Sequence, residues 1–344
     1  MKVAFFDAKP YDHIYFDKAF AQAGFKVKYY EGRLSTDLAV LAKGCDVVCT
    51  FVNAQVDKEC INALEEQGVK LIALRCAGFN NVDFKAAFKK IHVVRVPAYS
   101  PYSVAEHAAS LLLSMNRKIQ RAHMRVREGN FTLNGLIGMD LHGKTAGVIG
   151  TGKIGQCFID IAKGFGMRAL AYDPFPNNKL DVEYVSLEEL WPQADIISLH
   201  CPLTKETKDI VSSQSIEQMK EGVLLINTSR GGLIDTDALI EGLKSGKIGG
   251  AGLDVYEEEG EYFYEDFSSE VITDDNLLRL MSYPNVLVTS HQAFFTYEAL
   301  EEIARVTVDN IKTFEKDEFL ENEICYQCEM KGDCRRRKDR KNCW

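Results

Sequence analysis

The sequence has no uncharged apolar run approaching the ~20 residues that a membrane-spanning helix requires, which removes helical membrane proteins from consideration. It also lacks an excess of positive charge. The formal net charge is −9, and a general nucleic-acid partner is excluded because phosphate binding needs a positive footprint. No internal repeat of solenoid length is present. The opening stretch "MKVAFFDAKPYD" has an apolar run broken by Asp7 and no small-residue cleavage site, so the expectation is a cytoplasmic protein without a membrane partner. What remains is ordinary globular composition, 46% hydrophobic and 26% charged, over 344 residues. That length favours two hydrophobic cores over one.

Cysteine, by contrast, is plentiful. Six of the ten (Cys45, Cys49, Cys60, Cys76, Cys157 and Cys201) stand in apolar or structured contexts, where reduced buried thiols are expected. Cys325, Cys328, Cys334 and Cys343 crowd into the last twenty residues with the spacing C-x2-C-x5-C-x8-C. Four thiols suit tetrahedral zinc or a small Fe–S cluster. No His and no second C-x-x-C pair accompanies them, so metal binding, a redox-active tail and a neutral extension all stay open, and no metal site is assigned. The same segment is basic: residues 331–344 carry seven Lys/Arg against two Asp, and removing this +5 leaves −14 for the other 330 residues.

Short apolar or β-branched runs alternate with amphipathic stretches from the first residues onward. "KVAFFD" (2–7), "KVKYYE" (26–31), "CDVVCTF" (45–51), "VKLIALR" (69–75) and "IHVVRV" (91–96) read as strands, separated by segments such as "KECINALEEQG" (58–68). A second series follows Gly143: residues 144–150, 168–173, 195–200, 222–229, 250–255 and 285–291. Alternation of this kind means parallel sheets with crossover helices, and here two of them. Between the series, Pro101 opens a predicted helix running from about Tyr102 to Arg127. After the second, residues 296–320 read as a helix with Leu300, Ile303, Ala304 and Ile311 on one side.

"VIGTGKIGQ" places Gly150, Gly152 and Gly155 in G-x-G-x-x-G spacing directly after a strand and at the opening of a helix. The first glycine permits the tight turn, the second lets backbone approach a pyrophosphate, and the third allows close helix–strand packing. Asp173 ends the next strand, where an acid accepts hydrogen bonds from ribose hydroxyls and repels a 2′-phosphate. The predicted cofactor is therefore NAD rather than NADP.

Three charged or titratable features fall at or just after strand ends of this second sheet, where doubly wound folds bind ligands. Arg230 follows "NTS", the run Glu257 to Glu259 follows "LDVY", and His291 closes "LVTSH". Hydride transfer to a carbonyl carbon needs a proton donor for the developing alkoxide, and His titrates in the right range. A carboxylate beside it would favour its protonated form and fix its tautomer. An Arg would hold a substrate carboxylate by two parallel hydrogen bonds.

At this point the sequence resembles the D-2-hydroxyacid dehydrogenases, most closely their D-lactate dehydrogenase branch. The resemblance covers about residues 1–322, through "LRCAGFNNVD" (74–83), "VPAYSPYSVAEHA" (96–108), "GVIGTGKIG", "LHCPLT" (199–204), "INTSRGGLIDTDAL" (226–239), "GLDVYEEE" (252–259) and "SHQAFFT" (290–296). It implies a catalytic set of Arg230, Glu259 and His291. It implies cofactor contacts at Gly150, Gly152, Lys153, Ile154, Gly155, Asp173, Cys201, Pro202, Thr207, Thr228, Ser229 and Asp254. Substrate contacts would come from the backbone of Ala77 and Gly78, from Tyr99 and Phe294, and from Arg230 itself.

The implied architecture is α/β, with two doubly wound parallel-sheet domains. A flavodoxin-like substrate domain is made from both chain ends (1–100 plus 298–324), a Rossmann-type NAD domain lies between them (101–297), and a Cys-rich basic tail follows (325–344). The implied activity is fermentative-type reduction by NADH of a 2-oxo acid, pyruvate or a larger apolar one, to the D-2-hydroxy acid, and the reverse. Bulky Phe294 and Phe295 after the His argue for an apolar substrate side chain. The Tyr102 helix, with Val104, Ala108, Leu111, Leu112, Met115 and Ile119 spaced apolar, would pack across the two-fold interface of a homodimer. An alternative on the same scaffold is an NAD-binding, corepressor-like interaction protein that uses the basic tail.

Overall fold

The computed structural model describes residues 1–326, and contacts divide them into two compact units. One comprises Met1–Ser100 with the described chain from Thr296, the other Pro101–Phe295.

In the first unit, β1 (Lys2–Phe5), β2 (Lys26–Tyr29), β3 (Val47–Thr50), β4 (Leu71–Leu74) and β5 (His92–Arg95) form a parallel sheet in the order β2-β1-β3-β4-β5. β3 and β4 are buried at every position, as strands covered by helices on both faces must be. The helix Tyr297–Glu315, capped by Thr296 through its hydroxyl, packs Leu300, Ile303, Ala304 and Ile311 inward. It stops short of the expected residue 320, and Asp317 turns in the left-handed conformation (φ 55°). The chain then returns to β5: Ile324 N–H donates to Val93 O at 2.9 Å, Arg95 N–H donates to Asn322 O at 3.1 Å, and His92 Nδ1 lies 2.5 Å from Glu323 Oε1. Cys325, expected to begin the tail, belongs instead to this folded unit, because Ile324 and Cys325 fill an apolar corner beside Phe84, Phe88, Ile91 and Val93. Cys328, Cys334 and Cys343 lie outside the described residues. Among the described residues no group of His, Cys, Asp or Glu is arranged to hold a metal, and no helix is long and apolar enough to cross a membrane.

Arg75 ties the strand ends of this unit together. Its guanidinium donates to Phe6 O at 3.0 Å and Asp7 O at 2.6 Å, lies 3.6 Å from Asp12 Oδ1, and sits 4.4 Å from the centre of the Phe5 ring. Asp12 is itself buried. Burial pushes its carboxyl above the usual carboxylate range, and the guanidinium works against that push.

The second unit holds β6 (Thr145–Ile149), β7 (Arg168–Tyr172), β8 (Glu183–Tyr184), β9 (Ile196–Leu199), β10 (Val223–Asn227), β11 (Ile248–Leu253) and β12 (Val286–Val288). All pairings are parallel, in the order β12-β11-β10-β9-β6-β7-β8. Six strands are expected from the sequence. The seventh, β8, has two residues against Leu170 and Ala171, too few to show a period. β10 explains its unbroken apolar run by facing two cores: Leu224 and Ile226 pack with Leu111, Leu112 and Phe158, while Val223 and Leu225 pack with Ile216, Leu239 and Leu243.

The predicted helix from 102 to 127 is two helices, Pro101–Arg117 and Ile119–Arg127, broken where Lys118 adopts φ 51°. Buried Asn116 secures the break by donating to Met139 O at 2.8 Å and accepting from Met139 N–H at 2.9 Å. Val104, Ala108, Leu111, Leu112 and Met115, the stripe assigned to a dimer interface, are buried within this unit. Ile119, beyond the break, is exposed.

Replacing Arg75 by Met, which keeps an unbranched apolar stem but removes the guanidinium, leaves the Asp12 carboxylate buried without that partner. The expected loss is about 3–5 kcal/mol of stability, read as a lowered midpoint of urea unfolding.

Candidate active site

The second sheet delivers its functional residues at the carboxyl ends of its strands. After β6, Gly150 turns with φ 95°, and a Cβ there would lie 2.6 Å from His200 O. A Cβ on Gly155 would lie 2.0 Å from Gly150 O, so turn and helix pack backbone to backbone. Gly152 caps the helix Lys153–Gly164 with nothing within 4 Å of its would-be Cβ, leaving the helix N-terminus open to an approaching anion. Lys153 is exposed and Ile154 half-buried in its first turn.

After β7, the Asp173 carboxylate accepts from Thr151 N–H at 2.7 Å, Thr151 Oγ1 at 3.0 Å and Phe175 N–H at 2.9 Å. Tyr184, on the unexpected strand β8, donates its hydroxyl to Thr151 Oγ1 at 2.9 Å. Asp173 is therefore held against the glycine turn while staying half-exposed. After β9, Cys201 is buried and its thiol is pushed up to about 11, chiefly by burial, which makes it inert. Pro202 is exposed, and Thr207 donates to Pro202 O at 2.6 Å, bracing that loop. The His200 imidazole packs 5.1 Å from the Phe158 ring, and burial pushes it down to about 3. That environment favours its neutral form.

After β10, Ser229 donates its hydroxyl to Leu199 O at 3.0 Å. The buried Thr228 hydroxyl has no partner among the described residues. The guanidinium of Arg230 donates to Ser229 O at 2.6 Å, and no ion pair engages it among the described residues.

After β11, the acidic run divides. Glu257, Glu258 and Glu261 are exposed, whereas Glu259 turns inward, accepts from Tyr256 N–H at 3.0 Å through Oε2, and places Oε1 2.6 Å from His291 Nδ1. A carboxylate at that distance requires the proton on Nδ1, which leaves Nε2 to exchange one. His291 itself has φ 50°. Its N–H donates to Asp254 O at 2.7 Å, and its carbonyl accepts from the Tyr264 hydroxyl at 2.8 Å. The strained backbone is thus pinned from both sides.

Asp254, expected beside the nicotinamide, is wholly buried and carries a second task. Its carboxylate accepts from Thr289 Oγ1 at 2.5 Å, Gln292 N–H at 2.9 Å and Ala293 N–H at 2.8 Å, wrapping the His291 turn around one charge. Phe294 is buried and Phe295 half-exposed, edge to face at 5.9 Å. Ala77 and Gly78 follow β4 in the first unit, where Ala77 O accepts from Arg95 Nη1 at 2.6 Å, and Tyr99 is half-buried beyond β5. Thr151, Tyr184, Tyr264 and Thr289 escape sequence reasoning. Only Thr289, two residues before His291, offers a positional hint.

These features fit a dinucleotide: an open helix N-terminus behind a glycine turn, a half-exposed carboxylate at the next strand end, and a buried hydroxyl without a partner among the described residues. The family model for the D-isomer specific 2-hydroxyacid dehydrogenase NAD binding domain matches residues 109–293. The chain is similar to the D-lactate dehydrogenase of Escherichia coli, 50% identical over 328 residues, covering 94% of this chain and 100% of the relative. It is also similar to 2-hydroxyacid dehydrogenase homolog 1 of Schizosaccharomyces pombe, 52% identical over 319 residues, covering 91% and 96%. Among solved structures, that of the pyruvate reductase of Chlamydomonas reinhardtii superposes with a TM-score of 0.89 at 45% identity, covering 94% of this chain and 98% of that one. The chain belongs to the D-isomer specific 2-hydroxyacid dehydrogenase family. It is an NAD-dependent D-2-hydroxyacid dehydrogenase.

The division of the acidic run is testable by a substitution that removes the charge and keeps the shape. Glu259→Gln should lower kcat at least about tenfold with the NADH dissociation constant little changed. Glu258→Gln should leave steady-state kinetics within about twofold, as an exposed charge does.

Proposed function

We propose that the enzyme reduces pyruvate or a larger apolar 2-oxo acid to the D-2-hydroxy acid, with Arg230, Glu259 and His291 carrying the reaction. The observation that supports this most directly is the 2.6 Å pair between Glu259 and His291, on a strand end neighbouring the one that bears Arg230, which no ion pair engages among the described residues. When bound, NADH supplies the hydride. His291 delivers a proton from Nε2 to the oxygen that becomes the hydroxyl, and Glu259 holds the imidazole in the tautomer and orientation this needs. Arg230 binds the substrate carboxylate through its planar fork. Gly150, Gly152, Lys153, Ile154 and Gly155 cradle the pyrophosphate. Asp173 selects the unphosphorylated ribose, Cys201, Pro202 and Thr207 flank the adenosine, and Thr228, Ser229 and Asp254 serve the nicotinamide end.

The substrate assignment rests on two aromatic residues after the proton donor, Phe294 and Phe295. A relative named D-lactate dehydrogenase and a structural neighbour titled a pyruvate reductase support it. The corepressor-like reading is not favoured, since the relatives carry dehydrogenase names.

A homodimer is proposed as well, on a different surface from the one read in the sequence. The helix Ile119–Arg127 buries none of its residues, and Ile119, Met124 and Val126 on it, with Phe131, Leu133 and Ile137 after it, are exposed large apolar side chains. Such a cluster is the mark of a covered interface.

NADH oxidation measured against a panel of 2-oxo acids should show turnover with pyruvate or with a branched or aromatic analogue. His291→Ala should reduce it by about 10²-fold or more. Absence of turnover on the whole panel would refute the substrate class, and undiminished turnover in the variant would refute the proton donor. Light scattering at micromolar concentration should return twice the chain mass, and Phe131→Lys with Leu133→Lys should return the chain mass.

A further inference from the structure

The helix Pro101–Arg117 turns mostly apolar residues into the core of the second unit, but one imidazole on it takes part in a polar chain. His107 Nε2 lies 3.1 Å from Thr289 Oγ1 and 3.3 Å from Asp254 Oδ1, with its side chain 18% exposed. The hydroxyl of Thr289 has a single proton, which it donates to Asp254 Oδ1 at 2.5 Å. Toward His107 it can therefore only accept, and so can an ionised Asp254. Nε2 of His107 must carry a hydrogen, shared between the two oxygens.

The carboxylate at the centre of this chain is wholly buried, and its remaining donors are the backbone N–H groups of Gln292 and Ala293. His107 is its one ion-pair partner among the described residues. A buried carboxylate is costly unless its charge is met. The same carboxylate fixes the turn from 289 to 293, on which His291 sits with φ 50°. Misplacement of a reacting group by about 1 Å can cost about 10²-fold in rate, so the orientation of this turn matters to turnover more than to folding.

We infer that His107 is a positioning residue for the proton donor: through Thr289 and Asp254 it holds the turn that aims His291. The inference rests on the assignment of His291 proposed above. Its residues are 182 apart in sequence at the longest link, so their contact is made by the fold and not by local spacing.

The test compares two replacements at His107. Gln carries an N–H at a reach close to that of Nε2, whereas Phe keeps the ring and removes the donor. His107→Phe should lower kcat by about tenfold or more while KM for NADH stays within threefold and the thermal midpoint matches that of His107→Gln. His107→Gln should recover to within threefold of the parent kcat. Thr289→Val and Thr289→Ser should repeat the pattern, loss and retention respectively, and the double variant His107→Phe/Thr289→Val should be no slower than the worse single one. Parent-like kcat in His107→Phe, equal impairment of Phe and Gln, or additive losses in the double variant would each overturn the inference. Should His107→Phe fail to fold, the Thr289 pair decides alone by the same criterion. His291→Ala measured alongside separates the two ideas: full activity there removes the proton-donor assignment, whereas an inactive His291→Ala beside a fully active His107→Phe removes only the present one.

Discussion

The active-site end of the second unit is organised around a negative charge that never meets water. Asp254 closes β11 at full burial, and a carboxylate in that position has to collect donors or lose its charge. It collects them from the chain leaving β12, so the turn that carries His291 has little choice of conformation. The left-handed backbone of His291, unfavourable for a residue with a side chain, is the visible cost of that constraint. Glu259 and Tyr264 act on the outcome, one on the ring and one on the carbonyl. Preorganisation here means that the sheet decides where the imidazole points before any substrate arrives.

Parallel sheets make this arrangement possible because every strand ends on the same side. The glycine turn, Asp173, Cys201, Thr228, Arg230, Glu259 and His291 come from six strands and span more than a hundred residues, yet all belong to one edge. The central strands β6, β9 and β10 are buried on both faces and carry no function along their length. Their task is packing, and the loops inherit the chemistry.

Much of this was legible in the chain itself. Alternating apolar runs and amphipathic stretches carry the βα rhythm, and the position of Glu259, five residues beyond Asp254, singles out the one glutamate of the run that reaches His291. Legibility stopped where the cause was a contact rather than a pattern. No Gly or Pro marks the break at Lys118, which depends on Asn116 reading the backbone at Met139. The apolar stripe from Val104 to Met115 has the same spacing whether it covers a core or a partner, and the core took it. β8 is too short to have a period, and Cys325 looked like tail because its apolar corner is assembled from residues more than 200 positions upstream.

The segment from Glu257 to Asp275 supplies two of the restraints on His291, through Glu259 and Tyr264, yet Phe263 is its one buried residue. Such a stretch belongs to the low-stability end of a fold, free to open while the sheet beneath remains intact. Chemistry and architecture are therefore separable in this enzyme. Gentle heat or dilute denaturant reaches this segment, with Glu259 and Tyr264 on it, before it reaches the sheet.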